Sequence, residues 1–154
     1  MIPKTLLVDS HGRTIRDLRI SITDRCNFRC LYCLPETEAA ANFYRGRWQD
    51  SPQKPIQHAW KPKNEILSFE EIERITRIAT HCGIDKIRLT GGEPLLRKNV
   101  VSLVQKLAAI PGVSDLAMTT NGFLFPKCAE ELKAAGLHRI SISLDSFDKD
   151  NFKR

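Results

Sequence analysis

No run of apolar residues in this sequence is long enough to cross a bilayer, which excludes a transmembrane helix. Met1-Ile2-Pro3-Lys4 leads into only a few apolar residues, too few for a secretory signal core. Cysteine is scarce and odd in number: five thiols do not form a disulfide framework and suit a reducing compartment, the cytoplasm. Histidine is scarcer still, and His11, His58, His81 and His138 all lie far in sequence from the cysteine cluster. What remains is ordinary: 154 residues, one domain's worth, with 42% hydrophobic and 27% charged residues, enough to bury a useful core. Acidic residues fall short of basic ones, 18 against 24, for a formal net charge of +6. That balance favours an anionic partner: nucleic acid, an acidic surface or a phosphorylated small molecule.

The chain is organised around Cys26-Asn27-Phe28-Arg29-Cys30-Leu31-Tyr32-Cys33, three cysteines spaced C-x3-C-x2-C. Closely spaced thiolates are soft ligands, suited to zinc or to iron–sulfur clusters. A disulfide would use two and strand the third. Structural zinc is closed and tetrahedral, and its fourth ligand would have to come from elsewhere in the fold. Three thiolates on a four-iron cluster leave one iron open to a substrate or cofactor.

Leu18-Arg19-Ile20-Ser21-Ile22-Thr23 alternates strictly and predicts a strand that runs straight into the cysteine loop. Residues 36–64 read as a long basic loop broken by Pro52, Pro55 and Pro62. It carries Arg45, Arg47, Lys54, Lys61 and Lys63, with Phe43, Tyr44, Trp48 and Trp60 as its large anchors. Ser68-Phe69-Glu70-Glu71 is a capping box, opening a helix with an apolar stripe of Ile72, Ile75, Ile78 and Ala79, closed by Gly83. Strands follow at Ile84–Leu89, Leu116–Thr120 and Arg139–Leu144. Helices follow at Val100 to Ala108 and at about Pro126 to Ala135.

Strand–helix alternation predicts a parallel sheet with right-handed crossovers. In all four strands one parity is apolar (Ile20, Leu89, Met118, Ile140) and the other polar (Arg19, Arg88, Thr119, Ser141). A doubly wound sheet would be apolar on both faces. The pattern predicts an α/β fold, a partial TIM-like (βα)n barrel with about four βα units, helices outside and a polar inside. Its site falls at the strands' C-terminal ends, where the cysteine loop, Gly91-Gly92-Glu93-Pro94, Asn121-Gly122 and Asp145-Ser146 gather. Cys82, Cys128, His138 and Met118 read as structural.

With these motifs in place, the chain resembles the N-terminal part of the MoaA-type GTP 3′,8-cyclases. These are radical S-adenosylmethionine (SAM) enzymes that open molybdenum cofactor biosynthesis. The resemblance is carried by Leu18–Cys30, Ile87-Arg88-Leu89-Thr90-Gly91-Gly92-Glu93-Pro94, Thr119-Thr120-Asn121-Gly122 and Ile142-Ser143-Leu144-Asp145-Ser146. It implies a lyase whose 4Fe-4S cluster, held by Cys26, Cys30 and Cys33, passes an electron to SAM. The resulting 5′-deoxyadenosyl radical takes hydrogen from C3′ of GTP to give (8S)-3′,8-cyclo-7,8-dihydro-GTP. By the same resemblance Tyr32, Gly92 and Ser143 contact SAM, and Arg19, Arg88 and Thr119 hold GTP. Singly, each has a plainer explanation: a packed aromatic, a tight turn, a solvated strand end, a solvated arginine. Together, at one barrel mouth and with both arginines facing inward, they suit a triphosphate and its cofactor. The implied partners are GTP, an electron donor and the downstream cyclic pyranopterin monophosphate synthase, with neither nucleic acid nor membrane.

On this reading residues 1–154 form a radical SAM core with an insertion at about 36–64, longer than the family's usual link. The core is expected to be incomplete at its C-terminus, because the family has further strands and a second cysteine cluster. The alternatives are another radical SAM reaction or a truncated, non-catalytic iron–sulfur module.

Overall fold

The computed structural model describes residues 6–43 and 54–152. Met1-Ile2-Pro3-Lys4 and, within the insertion, Tyr44, Arg45, Arg47, Trp48 and Pro52 lie outside the described residues, as does the side chain of Phe43.

The sheet contains β1 (Asp17–Ser21), β2 (Lys86–Thr90), β3 (Asp115–Thr120) and β4 (Arg139–Ile142). They lie side by side in chain order, all parallel. The order never reverses, as a doubly wound sheet must, so each crossover advances the same way and the strands form an arc of barrel wall. Register aligns Ile20, Leu89, Met118 and Ile140 on one face, and Arg19 beside Arg88 on the other.

The apolar face is covered by α2 (Phe69–His81), α3 (Val100–Ala108) and α4 (Ala129–Ala134). Ile87, Leu89, Leu116 and Met118 bury completely or nearly so against Ile72, Leu103, Val104, Leu107 and Leu132. Burying each large aliphatic side chain contributes about 1.5–3 kcal/mol. That outweighs the propensity of helices this short, which are marginal alone. The polar face carries Arg19, Ser21 and Ser141 exposed and Arg88 and Thr119 half-buried.

α2 starts as expected: Ser68 Oγ accepts from Glu71 N–H, and Glu71 accepts from Ser68 N–H. Its buried stripe keeps Ile72 and Ala79 of the expected four and replaces the other two. Ile75 and Ile78 are exposed, and Ile72, Thr76, Ala79 and Thr80 face the core. The two threonines bury because their hydroxyls donate to Ile72 O and Arg77 O one turn back, leaving a methyl for the core.

Other boundaries shift. The second strand begins at Lys86 rather than Ile84, and β4 ends at Ile142 rather than Leu144. The helix expected from Pro126 is a 3-10 turn, Phe125–Lys127, followed by α4.

The stretch 36–64 is not simply a loop. Thr37 Oγ1 caps a short helix, α1 (Glu38–Phe43), by accepting from Ala40 N–H. Alanines at 39–41 favour that turn. Thr37 and Pro55 form an antiparallel bridge, and Lys63–Glu65 is a 3-10 turn. Trp60 is an anchor as expected: it stacks on His58 at 5.7 Å and carries the Arg29 guanidinium over its ring, also at 5.7 Å. A four-residue helix, α5 (Lys149–Phe152), follows β4.

Candidate cofactor and substrate site

All four strands deliver their following loops to one end. β1 continues through Ile22, whose N–H donates to Thr90 O, into the cysteine loop. β2 delivers Gly91-Gly92-Glu93-Pro94 to the same place, and the two segments touch backbone to backbone. Gly92 N–H donates to Thr23 O and Glu93 N–H to Arg25 O, both at 2.7 Å. A Cβ on Gly91, whose φ is +151°, would overlap the Thr23 carbonyl. A Cβ on Gly92 would overlap the Arg25 carbonyl and stand 2.7 Å from Asp24 O. Both glycines let the loop approach, and the approach fixes the chain immediately ahead of Cys26.

Glu93 is the buried hub of this end, with no exposed surface. Its Oε1 accepts from Thr120 Oγ1–H at 2.7 Å and from Leu95 N–H at 2.9 Å, and its Oε2 accepts from Asn121 N–H at 2.7 Å. One carboxylate thus ties the end of β2 to the end of β3. The Asn121 amide nitrogen lies 2.9 Å from Asn27 Oδ1 and 3.9 Å from Cys26 Sγ, reaching into the cysteine loop. Phe28 and Phe123 meet edge to face at 6.1 Å alongside it.

Cys26 and Cys30 are half-buried, Cys33 is exposed, and all three are free thiols. Burial pushes the Cys30 thiol up; Asp145 and the neighbouring Cys26 and Cys33 push the same way, and contact with the Tyr32 hydroxyl opposes them. A bound cation would reverse that balance and hold thiolates. Among the described residues no three His, Cys, Asp or Glu side chains converge as one metal ion requires. Thiolates of a four-iron cluster stand apart by the cluster's own width, so three free thiols on one loop, with no further ligand converging on them among the described residues, suit such a cluster better than a closed tetrahedral zinc.

Tyr32 lies on the same loop, its hydroxyl donating to Asp145 Oδ1 after β4. Ser143 continues β4, its N–H donating to Thr120 O. Below them on the polar face, Arg88 Nη1 donates to Thr119 Oγ1 at 3.3 Å and Ser141 Oγ at 3.0 Å. Its guanidinium is therefore met by hydroxyls that cannot balance its charge. Arg19 is its register neighbour on β1.

The nine residues singled out in the sequence thus gather on one loop cluster and the face beneath it. Glu93, Asn121 and Asp145, which the motifs contain without an assigned role, are the side chains that link the strand ends and the cysteine loop. An acid directly before a proline at a strand end, among residues too apolar to solvate it, was the available signal for Glu93. A separate cleft of about 640 Å³ is lined by Arg25, Lys61, Lys63, Phe69, Arg97 and Lys98 among others, and includes none of the nine. Arg97 spans it, donating to Ile22 O and Leu67 O over the Phe69 ring. Cys128 packs on the core and His138 Nδ1 accepts from Leu116 N–H, structural as expected. No helix among the described residues is long and apolar enough to cross a membrane.

The radical SAM superfamily model matches residues 20–154. Among curated relatives, a GTP 3′,8-cyclase of Staphylococcus carnosus is 46% identical over 147 residues, covering 96% of this chain and 39% of that protein. That of Syntrophomonas wolfei is 49% identical over 147 residues, with the same shares. That of Thermodesulfovibrio yellowstonii is 48% identical over 145 residues, covering 94% and 39%. The chain therefore spans about two fifths of these relatives' length. Among solved structures, BtrN in complex with AdoMet and 2-DOIA superposes with a TM-score of 0.55 at 17% identity, over 90% of this chain and 50% of that one. This supports the partial barrel as a fold.

Proposed function

Because the chain belongs to the radical SAM superfamily, whose cofactors are a 4Fe-4S cluster and SAM, we propose that it serves the cyclisation of GTP between C3′ and C8, the first step of molybdenum cofactor biosynthesis. Residues 1–154 would form the radical SAM core, with an insertion at about 36–64. When bound, the cluster and SAM supply one-electron chemistry that removes hydrogen from C3′ of GTP.

The chain's own residues hold and orient. Cys26, Cys30 and Cys33 ligate the cluster on a loop fixed from below by Gly91 and Gly92. Tyr32, Gly92 and Ser143 line the place for SAM. Arg19, Arg88 and Thr119 hold the nucleotide, the arginines against its phosphates. Holding donor and acceptor atoms in one geometry is most of what a protein contributes to such chemistry. An electron donor and the synthase that consumes the product, both in the cytoplasm, follow from the same reading.

The observation that carries the reading is the register pairing of Arg19 with Arg88 on the polar face below the cysteine loop, where the Arg88 guanidinium meets the hydroxyls of Thr119 and Ser141. Two arginines side by side in register, one of them met by hydroxyls rather than by a carboxylate, are a place for a polyanion. Arg88→Ala in the reconstituted protein tests it. GTP affinity, by equilibrium dialysis, should fall roughly ten- to hundredfold, or about 1.5–3 kcal/mol. SAM affinity should hold, and the penalty should shrink for guanosine. Unchanged GTP binding with lost SAM binding would move Arg88 to the cofactor and remove the support for GTP.

A further inference from the structure

We propose that Asn121 is a positioning residue for the cluster: its carboxamide donates an N–H to Cys26 Sγ and thereby raises the cluster's reduction potential. The inference rests on the reading that Cys26 is a cluster ligand.

The orientation of the amide is settled by its neighbours. Asn121 Oδ1 accepts from Phe123 N–H at 3.1 Å, so the oxygen faces the chain that follows β3. The nitrogen therefore faces the cysteine loop. It carries two N–H groups, and two acceptors stand before it: Asn27 Oδ1 at 2.9 Å and Cys26 Sγ at 3.9 Å. The residue cannot drift, because its backbone N–H is held by the buried carboxylate of Glu93. Its side chain is held at both ends of the amide. The chain Glu93–Asn121–Cys26 thus runs from the buried core of the barrel wall to a thiol on the loop.

Cys26 Sγ already accepts from Phe28 N–H at 3.4 Å. As an iron-bound thiolate it would be a stronger acceptor than a thiol, and the amide would supply a second donor from another strand. Hydrogen bonds to cluster sulfurs stabilise the more negative, reduced state and move the potential upward. They also draw electron density from sulfur, which lessens the covalency of the iron–sulfur bond.

The test is a pair of variants in the reconstituted protein, Asn121→Ser and Asn121→Ala. Serine keeps an oxygen to accept from Phe123 N–H in the same turn and has no N–H to reach sulfur. Alanine removes both functions. Iron and sulfide content are measured first, then the potential by redox titration followed in electron paramagnetic resonance, and the sulfur K-edge pre-edge intensity. Both variants should carry a full cluster whose potential is more negative than the parent's, with a stronger pre-edge. Should Asn121→Ala fail to fold, Asn121→Ser decides. A full cluster at the parent's potential in either variant overturns the inference and leaves the cluster assignment standing. A parent that assembles no four-iron cluster overturns both.

Discussion

The Tyr32 hydroxyl donates to Asp145 Oδ1 at 2.9 Å, joining the cysteine loop to the segment after β4 across 113 residues of sequence. The bond holds the phenolic proton, and with burial as the second cause it pushes Tyr32 up to about 12 from an ordinary 10. The favoured form is the protonated one. Its contribution is therefore complete below pH 10 and is lost as pH rises from 10 through about 12. Tyr32 is 58% exposed, so solvent keeps the contribution small. Isotope-labelled tyrosine followed by NMR in the cluster-free protein should show one resonance titrating near 12, absent in Tyr32→Phe. Asp145→Asn should bring it down toward 10. A parent resonance already near 10 would show that the latch does not hold in solution.

At the opposite end of the sheet, Asp85 accepts from Arg16 Nε at 2.9 Å and from Ser114 Oγ at 2.9 Å, stapling the starts of β1, β2 and β3. The Arg16 guanidinium, ahead of other causes, lowers Asp85 to about 2 from 3.8. A depressed carboxylate stabilises the fold above its ordinary value and ceases to as pH falls from about 4 through 2. Arg16 is half exposed, so solvent keeps the contribution small. Denaturant unfolding of Asp85→Asn should therefore be slightly weaker than the parent at pH 7 and converge with it near pH 2. Parallel curves across that range would remove the pair from the stability of the fold.

The partition between these two ends was legible in the sequence, and the reason is parity. Alternation in strands as short as Leu18–Thr23 set the apolar and polar faces, and chain order of strands and helices set the direction of the barrel. The motifs then fell at one end without further assumption. The α2 stripe was legible only at Ile72 and Ala79, because a threonine whose hydroxyl bonds its own helix counts as apolar in the fold and polar in the sequence. Not legible at all was α1, a helix of one and a half turns that depends on the Thr37 cap and on backbone bonds from Glu38 N–H to Lys54 O and from Ile56 N–H to Glu36 O. The Tyr32–Asp145 and Asn121–Cys26 pairs join distant segments, and local sequence carries no trace of them.

Gly92 offers a test of how the cysteine loop is held. Alanine there puts a methyl group into the Arg25 carbonyl, and backbone cannot swing aside as a side chain does. The two segments must part, weakening the paired bonds Gly92 N–H to Thr23 O and Glu93 N–H to Arg25 O. Overpacking of this kind costs about 1–3 kcal/mol. Gly92→Ala should melt lower than the parent and retain less iron after anaerobic reconstitution. Parent-like melting with parent-like iron would show that the loops tolerate separation, leaving the cysteine geometry to local turns alone.

Glu93 carries the sharpest consequence, because its two oxygens meet donors that cannot be turned round. Oε1 faces Leu95 N–H and Oε2 faces Asn121 N–H. The Thr120 hydroxyl can rotate to accept, but the two backbone groups can only donate. Glutamine has the same shape and one acceptor oxygen. Whichever way its amide is turned, its NH2 points at a backbone N–H, in a site without exposed surface. Leaving one buried donor unmatched costs about 1–3 kcal/mol. Glu93→Gln should therefore unfold at lower denaturant with an unchanged slope. Its Asn121 amide proton should exchange faster, as the link from β2 to β3 loosens. Glu93→Asp should also lose stability, since a side chain shorter by one methylene cannot span both strand ends. Parent-like stability in Glu93→Gln would mean that the site accepts a neutral group. The carboxylate would then not be what joins the ends of β2 and β3.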